Sequence, residues 1–345
     1  MNTPQPRPKA APSGPKSLKA ALRLTWDFLF HKPADTRPDQ PIPVAPLTRA
    51  ALDAAPDYSL WRLGHSTVLL KLEGRFWLTD PVFGERASPF RHLGPRRFHA
   101  PPIALAELPP LEAVILSHDH YDHLDKSTIK ALARSARHFV APSGVGDLLA
   151  DWGVARERIH QLGWWESIQI SGLTLVATPA QHFSGRGLGD ANRRLWCSWV
   201  IQSPRAKLFF SGDTGYFDGF RAIGERHGPF DLTLMEAGAY DERWAAVHML
   251  PHQTLQAHLD LGGRRLLPIH NSTFDLAFHR WSDPLEQLSQ LAPVQGITLL
   301  TPIIGTRLDV LAPDPTTAWW RQPTPEGARG RASWGIFKPG RLCSR

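Results

Sequence analysis

The sequence predicts an α/β fold of two packed sheets with helices on their outer faces. Three observations carry this. Apolar residues make up 42% of the 345 residues, ample for a core. Two strand-like runs joined by a tight turn open the body of the chain, a hairpin signal. From there, strand-like and helix-like stretches alternate. Pattern alone leaves α/β and α+β both open.

The elements follow in chain order. Residues 1–15 are rich in Pro, Ala and Ser and read as disordered. In residues 16–31, Leu18, Leu22, Trp26 and Leu29 recur at helical spacing with Lys19, Arg23 and Asp27 on a neighbouring face. Such a basic amphipathic helix either lies on a membrane surface or docks on its own domain. Residues 32–57 are Pro-rich and read as an extended connector, so residues 1–57 form an extension. The body spans residues 58–315. Leu60 to Leu72 and Arg75 to Leu78 read as strands around the turn Glu73-Gly74. Thr79-Asp80-Pro81 ends the second. A loop from Phe83 to Pro102 carries Arg86, Arg91, Arg96 and Arg97, a set that either meets an anion or is simply solvated. Ala113 to Leu116 is a buried strand, and Lys126 to about Arg134 a helix. A strand at His138-Phe139-Val140 and a helix from Gly144 to Trp152 follow. Further strands read at Ser167–Ile170, Leu173–Thr178, Leu195–Gln202, Lys207–Ser211, Leu232–Glu236, Arg265–Ile269 and Gly296–Leu300. Helices read at Pro251–Leu261 and Glu286–Leu291. Residues 316–345 return to Pro, Gly and Arg and read as a surface tail.

The net charge of +7 suggests a polyanion partner, so its location matters. Residues 1–50 hold eight Lys/Arg against three Asp, and residues 321–345 hold six against one Glu. The basic character therefore belongs to the ends, and the body is slightly acidic. That disfavours a nucleic-acid groove, which needs clustered cations. Cys197 and Cys343 form no metal-ligand spacing and no disulfide framework, which fits a reducing compartment. No run of 18 apolar residues is present, and the N-terminal stretch lacks an uninterrupted apolar signal region. The expected location is cytoplasmic, peripheral to the inner membrane face if residues 16–31 touch lipid.

The chemistry concentrates in Ser117-His118-Asp119-His120-Tyr121-Asp122-His123, on a turn after a buried strand. Three histidines and two aspartates in six residues are hard to explain as packing. In an extended segment residues i and i+2 point the same way, so His118 and His120 can grip one ion. Asp122 and His123, past the turn, can face a neighbouring position. Imidazole and carboxylate together suit borderline-soft divalent metals. His182, Asp213 and His270 each follow a strand, where sheet ends can converge.

This His-x-His-x-Asp-His pattern resembles the signature of the metallo-β-lactamase superfamily. The likeness runs from about residue 58 to 310. It includes Gly64-His65-Ser66-Thr67, Thr178-Pro179-Ala180-Gln181-His182, Phe210-Ser211-Gly212-Asp213-Thr214-Gly215-Tyr216, Gly238-Ala239-Tyr240 and Leu267-Pro268-Ile269-His270. Within the superfamily it is most similar to the branch of N-acyl-phosphatidylethanolamine phospholipase D and its bacterial relatives. The resemblance implies an αββα sandwich of two mixed sheets flanked by helices. It implies two divalent ions, Zn2+ with Mn2+ or Fe2+ as alternatives. His118, His120 and His182 would hold one, Asp122, His123 and His270 the other, and Asp213 would bridge. Asp80 resembles a brace for the ligands. His248 is expected as general acid or orienting group, and His65 and Tyr121 as substrate contacts. Trp164 and Trp165 either offer apolar surface to acyl chains or pack in the core. The implied reaction is hydrolysis of a phosphodiester in an N-acyl-phosphatidylethanolamine-like lipid by a metal-bound hydroxide, in a protein that could be a homodimer. The same site on a lactone or carboxylic ester is the alternative. A nuclease is disfavoured by the acidic body. A non-catalytic structural metal is disfavoured by seven ligands, since structural zinc sites are closed and single. After His270 this chain has Asn271-Ser272 where the branch has Trp-Gly, and after His248 it lacks an acidic pair, so the substrate pocket departs from the branch while the ligands do not.

Overall fold

In the computed structural model, residues 31–321 apart from Arg91 and Leu188 are described, together with Arg23, Trp26 and Asp27. The readings for residues 1–15, for nearly all of the helix over 16–31 and for the tail beyond 321 lie outside these residues.

Two seven-stranded sheets stack face to face. The first takes β1 (Ser59–Gly64), β2 (Thr67–Leu72), β3 (Arg75–Thr79), β4 (Leu111–Ile115), β5 (His138–Pro142), β6 (Ile159–Leu162) and β14 (Arg307–Asp309), in the order β14-β1-β2-β3-β4-β5-β6. The second takes β7 (Ser167–Ile170), β8 (Leu173–Thr178), β9 (Ser198–Gln202), β10 (Lys207–Phe210), β11 (Leu232–Glu236), β12 (Arg265–Ile269) and β13 (Thr298–Leu299), in the order β13-β12-β11-β10-β9-β8-β7. Both are mixed: hairpin-connected strands pair antiparallel, and strands reached by crossovers pair parallel. Leu60, Trp77, Ile115, Trp199, Phe210 and Leu267 meet between the sheets in one apolar layer. Helices α1 (Arg49–Ala54), α2 (Lys126–Leu132) and α3 (Val145–Asp151) cover the first sheet through Leu52, Ile129, Leu132 and Leu149. Helices α4 (Gly219–His227), α5 (Pro251–Asp260) and α6 (Asp283–Val294) cover the second through Phe220, Ile223, Leu255 and Leu288. This is the αββα sandwich. Strands covered on both faces need no alternation, which explains the continuous apolar runs in the sequence.

Three readings need correction. The run Leu60–Leu72 is two strands, because Gly64 (φ 135°) and His65 (φ 52°) turn the chain between them. The apolar pattern continues across that turn, so periodicity hid it. Residues 32–57 do more than connect: Leu52 and Ile42 are buried, and Val44 bridges Ile304. The tail read from 316 begins inside the body, since Trp319 is 3% exposed and packs with Ile42, Leu285 and Ile304. Of the two readings for Trp164 and Trp165, packing against the cores is the one found, with both rings partly buried. Strands β6 and β14 and helices α1 and α4 were not read from the sequence.

Candidate metal centre

All seven candidate ligands lie just past the carboxyl ends of strands: four after β4, and His182, Asp213 and His270 after β8, β10 and β12. The turn after β4 ends where Asp125 caps α2 by accepting hydrogen bonds from the Ser127 and Thr128 amides. The two ligand-bearing sheet ends are stitched together. The Trp199 indole donates to the Leu116 carbonyl at 2.9 Å and the Cys197 amide to the Ser117 carbonyl at 3.0 Å. Gly212, just before Asp213, sits at φ 56°, and a Cβ there would come within 2.5 Å of the Ser117 Cβ. Only glycine lets the two turns approach this closely. His65, Asp80 and His270 also have positive φ, so backbone strain gathers at the site.

Two groups form. One ligand atom from each of His118, His120, His182 and Asp213 falls within 4.8 Å of the others, and so does one from each of His65, Asp122, His123 and His270. Asp213 touches both groups. Its Oδ1 is 3.1 Å from His123 Nε2, and its Oδ2 is 3.0 Å from His270 Nε2 and 3.8 Å from both His118 and His182.

The donor set fits metal ions. Ser117 Oγ donates to Asp80, so it accepts from His118 Nδ1 at 2.9 Å. His182 Nδ1 donates to the Val247 carbonyl at 3.1 Å, and His123 Nδ1 to Asp80 at 2.7 Å. In the neutral rings each Nε2 is then a lone pair aimed inward. His120 Nδ1 lies 2.9 Å from His118 Nε2 and 3.2 Å from His182 Nε2, a convergence that protons cannot satisfy throughout. His123 Nε2 and Asp213 Oδ1 are close but misaligned, and both are buried without a hydrogen-bond partner. Cations answer these orphaned atoms. Burial, with the neighbouring imidazoles, pushes the pKa of His118 and His182 well below the ordinary value, so they keep the neutral form a metal requires. Burial would raise the Asp213 carboxyl, but the adjoining His123 and His270 outweigh it and hold Asp213 well below the usual range.

Asp80 is the brace that the sequence suggested. It is fully buried and accepts from the Ser117 amide, the Ser117 hydroxyl and His123 Nδ1. Asp119, the other acid of the motif, faces away and holds Arg194 at 2.9 Å. His248 reaches the centre. Its ring stacks 5.2 Å from His270, and its Nδ1 donates to Glu236 Oε1 at 2.8 Å. Glu236 ends β11, fully buried, and burial raises its pKa. The sequence reading missed Glu236, whose signal was a lone acid closing an apolar strand. It also missed Arg62, buried in β1, which donates to the Asn271 carbonyl at 2.5 Å and fixes the residue after His270.

His65 and Tyr121 already have protein partners. His65 is buried and its Nε2 is 3.0 Å from Asp122 Oδ2, beside the second ligand group. The Tyr121 hydroxyl is committed to the Arg186 carbonyl at 2.6 Å, and the Arg186 guanidinium lies 4.0 Å over its ring. Of the loop arginines, Arg97 turns inward over Phe274 at 5.6 Å, Arg96 pairs with Glu85, and Arg86 closes the loop on the Gly94 carbonyl.

A sandwich of mixed sheets with histidines and acids gathered at one edge is the architecture of a metal-dependent enzyme. The β-lactamase superfamily domain matches residues 75–271. An uncharacterized protein of Mycobacterium tuberculosis is 45% identical over 305 residues, 87% of this chain and 81% of that protein. The N-acyl-phosphatidylethanolamine-hydrolyzing phospholipase D 1 of Caenorhabditis elegans is 36% identical over 248 residues, 68% of this chain and 69% of that protein. The solved structure of a possible metal-dependent hydrolase from Veillonella parvula shares the fold, with a TM-score of 0.58 and 15% identity over 74% of this chain and 100% of that one. The chain belongs to the metallo-β-lactamase superfamily. Among the described residues, no helix is long and apolar enough to cross a membrane.

Proposed function

We propose that the chain is a two-metal phosphodiesterase of phospholipase D type, acting on an N-acyl-phosphatidylethanolamine-like lipid. The observation that carries the two-metal part is Asp213, which touches both ligand groups at once. The likeness to the worm phospholipase supports the substrate class. His118, His120 and His182 would hold one ion, Asp122, His123 and His270 the other, and Asp213 would bridge them. Zinc suits this imidazole and carboxylate set, as do Mn2+ and Fe2+. Bound there, the ions would lower the pKa of water and polarise the phosphoryl oxygens. Asp80 and His65 hold His123 and Asp122 in place. His248, its Nδ1 proton fixed on Glu236, would take a proton at Nε2 from the attacking water and pass it to the leaving alkoxide. The helix predicted over residues 16–31 would bring the site to a lipid surface.

The test offers metal-loaded wild type and Asp213→Ala vesicles containing N-acyl-phosphatidylethanolamine and follows phosphatidic acid. Release by the wild type alone is expected. No release from metal-verified wild type removes the phospholipid reading, and lactones and small phosphodiesters would be screened next.

A further inference from the structure

Two large apolar side chains stand in solvent side by side. Phe90 is 62% exposed and Leu93 65%, only three positions apart. Leu259 and Val294, also exposed, lie on separate helices. A single exposed apolar residue needs no explanation, but a pair at one tip does.

The loop between β3 and β4 that carries the pair is built as a hairpin. The Arg97 amide donates to the Glu85 carbonyl and the Ala87 amide to the Pro95 carbonyl, both at 3.0 Å, and Arg86 bridges antiparallel to Arg96. The Arg86 guanidinium crosses to the Gly94 carbonyl at 2.6 Å, and the Phe90 amide donates to Ser88 Oγ at 3.1 Å. These bonds fasten the arms to each other and leave the apolar tip outside. Both arms are rooted at the metal centre. The Gly84 amide donates to Asp125 Oδ2 at 3.2 Å, two positions past His123. The Phe98 amide donates to the Thr273 carbonyl at 2.8 Å, three positions past His270.

Charge says what the tip meets. Residues 85–97 hold four arginines against one glutamate, in a body that is slightly acidic. Arg97 turns inward and Arg96 pairs with Glu85. The sequence still sets Arg86, Arg91 and His92 around Phe90 and Leu93, with no acid from 86 to 97. Apolar side chains ringed by cations match a surface that is anionic outside and apolar just beneath, which is a bilayer with anionic headgroups.

We propose that this hairpin tip docks on an anionic lipid bilayer, with Phe90 and Leu93 entering the boundary between headgroups and acyl chains and the positive charge of the loop meeting lipid phosphates. This deepens the lipid reading above by naming the surface that carries the metal centre to the bilayer.

The test reads binding and not turnover. Full-length protein is sedimented with vesicles of phosphatidylcholine alone and of phosphatidylcholine with phosphatidylglycerol. Wild type is expected to bind the anionic vesicles more tightly, and Phe90→Ser/Leu93→Ser to bind them about tenfold more weakly or worse. Both side chains are exposed, so an unchanged thermal midpoint is expected of the double variant. Phe90→Trp keeps an aromatic tip and adds an indole, and bromine on the acyl chains is expected to quench it beyond the quenching of wild type. Wild type that ignores anionic vesicles overturns the proposal. So does a double variant that binds them as wild type does, or equal quenching of wild type and Phe90→Trp. Lipid-free self-association that the double variant abolishes while vesicle binding stays would assign the tip to a second copy instead. Wild type that docks as expected and hydrolyses no phospholipid sinks the phosphodiesterase reading alone and leaves the docking surface standing.

Discussion

Asp80→Asn separates ligand bracing from ligation. Asp80 lies outside both four-residue ligand groups, and three donors converge on its buried carboxylate: the Ser117 amide at 2.7 Å, the Ser117 hydroxyl at 2.5 Å and His123 Nδ1 at 2.7 Å. Asparagine keeps the shape and tolerates the positive φ of 33° at this position, so the backbone is not newly strained. It supplies one carbonyl oxygen for three donors. If that oxygen stays on the Ser117 backbone amide, the side-chain nitrogen faces His123 Nδ1–H, donor against donor. The ring must then turn away or move its proton to Nε2, which removes the lone pair a metal needs. Losing such an outer partner costs roughly 10- to 100-fold in metal affinity, equivalent to about 1.4–2.7 kcal/mol. Competition against a chromophoric chelator measures it. One site should weaken by that factor while the His118, His120 and His182 group falls less. Affinities at both sites within threefold of wild type would refute the bracing argument.

Other predictions follow from the same geometry. His248→Gln should slow hydrolysis of an alkyl phosphodiester by about 100-fold but that of a 4-nitrophenyl ester by far less, because nitrophenolate leaves unaided; equal losses in the two steady-state assays would deny His248 the acid role. In metal-stripped protein, burial opposes protonation of His270, but the Asp213 charge and the hydrogen bonds that the ring donates to Asp122 and Asp213 raise its pKa to about 10. A raised folded-state pKa stabilises the stripped protein fully below the unfolded value of about 6.5, and that contribution disappears as pH climbs through about 10. Metal loading at pH 7 should therefore release protons, read by calorimetry in buffers of different ionisation enthalpy; a binding enthalpy independent of buffer would contradict the assignment. Trp319→Ala should cost about 3–5 kcal/mol in urea unfolding, and a change under 1 kcal/mol would mean that the segment after β14 does not belong to the core.

The candidate site was legible because its ligands come in local clusters or directly after recognisable apolar strands. His118 to His123 share one turn, and Asp213 and His270 each end a run that could only be a buried strand. Asp80 was legible only through its place after β3. What remained hidden depends on contacts between residues far apart in the chain. Nothing near Tyr121 announces that the Arg186 carbonyl will take its hydroxyl. Nothing near His65 announces Asp122, 57 positions away. The packing of residues 32–57 was hidden because proline-rich composition describes backbone preference, while burial of Ile42 and Leu52 depends on distant partners. Strand β14 is three residues long, too short for any periodicity.

That short strand has a consequence for reading deletion experiments. It carries no candidate ligand, yet it zips along β1 from Ser59↔Asp309 to Trp61↔Arg307 and closes the edge of the sheet whose β4 turn holds His118 to His123. Neighbouring backbone ties continue the seam, from the Gly305 amide to the Arg62 carbonyl and from the Val310 amide to the Tyr58 carbonyl. A chain stopped near residue 300 would keep every ligand and still leave β1 with a raw edge, a template for sticking to other copies. Inactive shortened chains would then report self-association in the test tube, with the chemistry itself left intact.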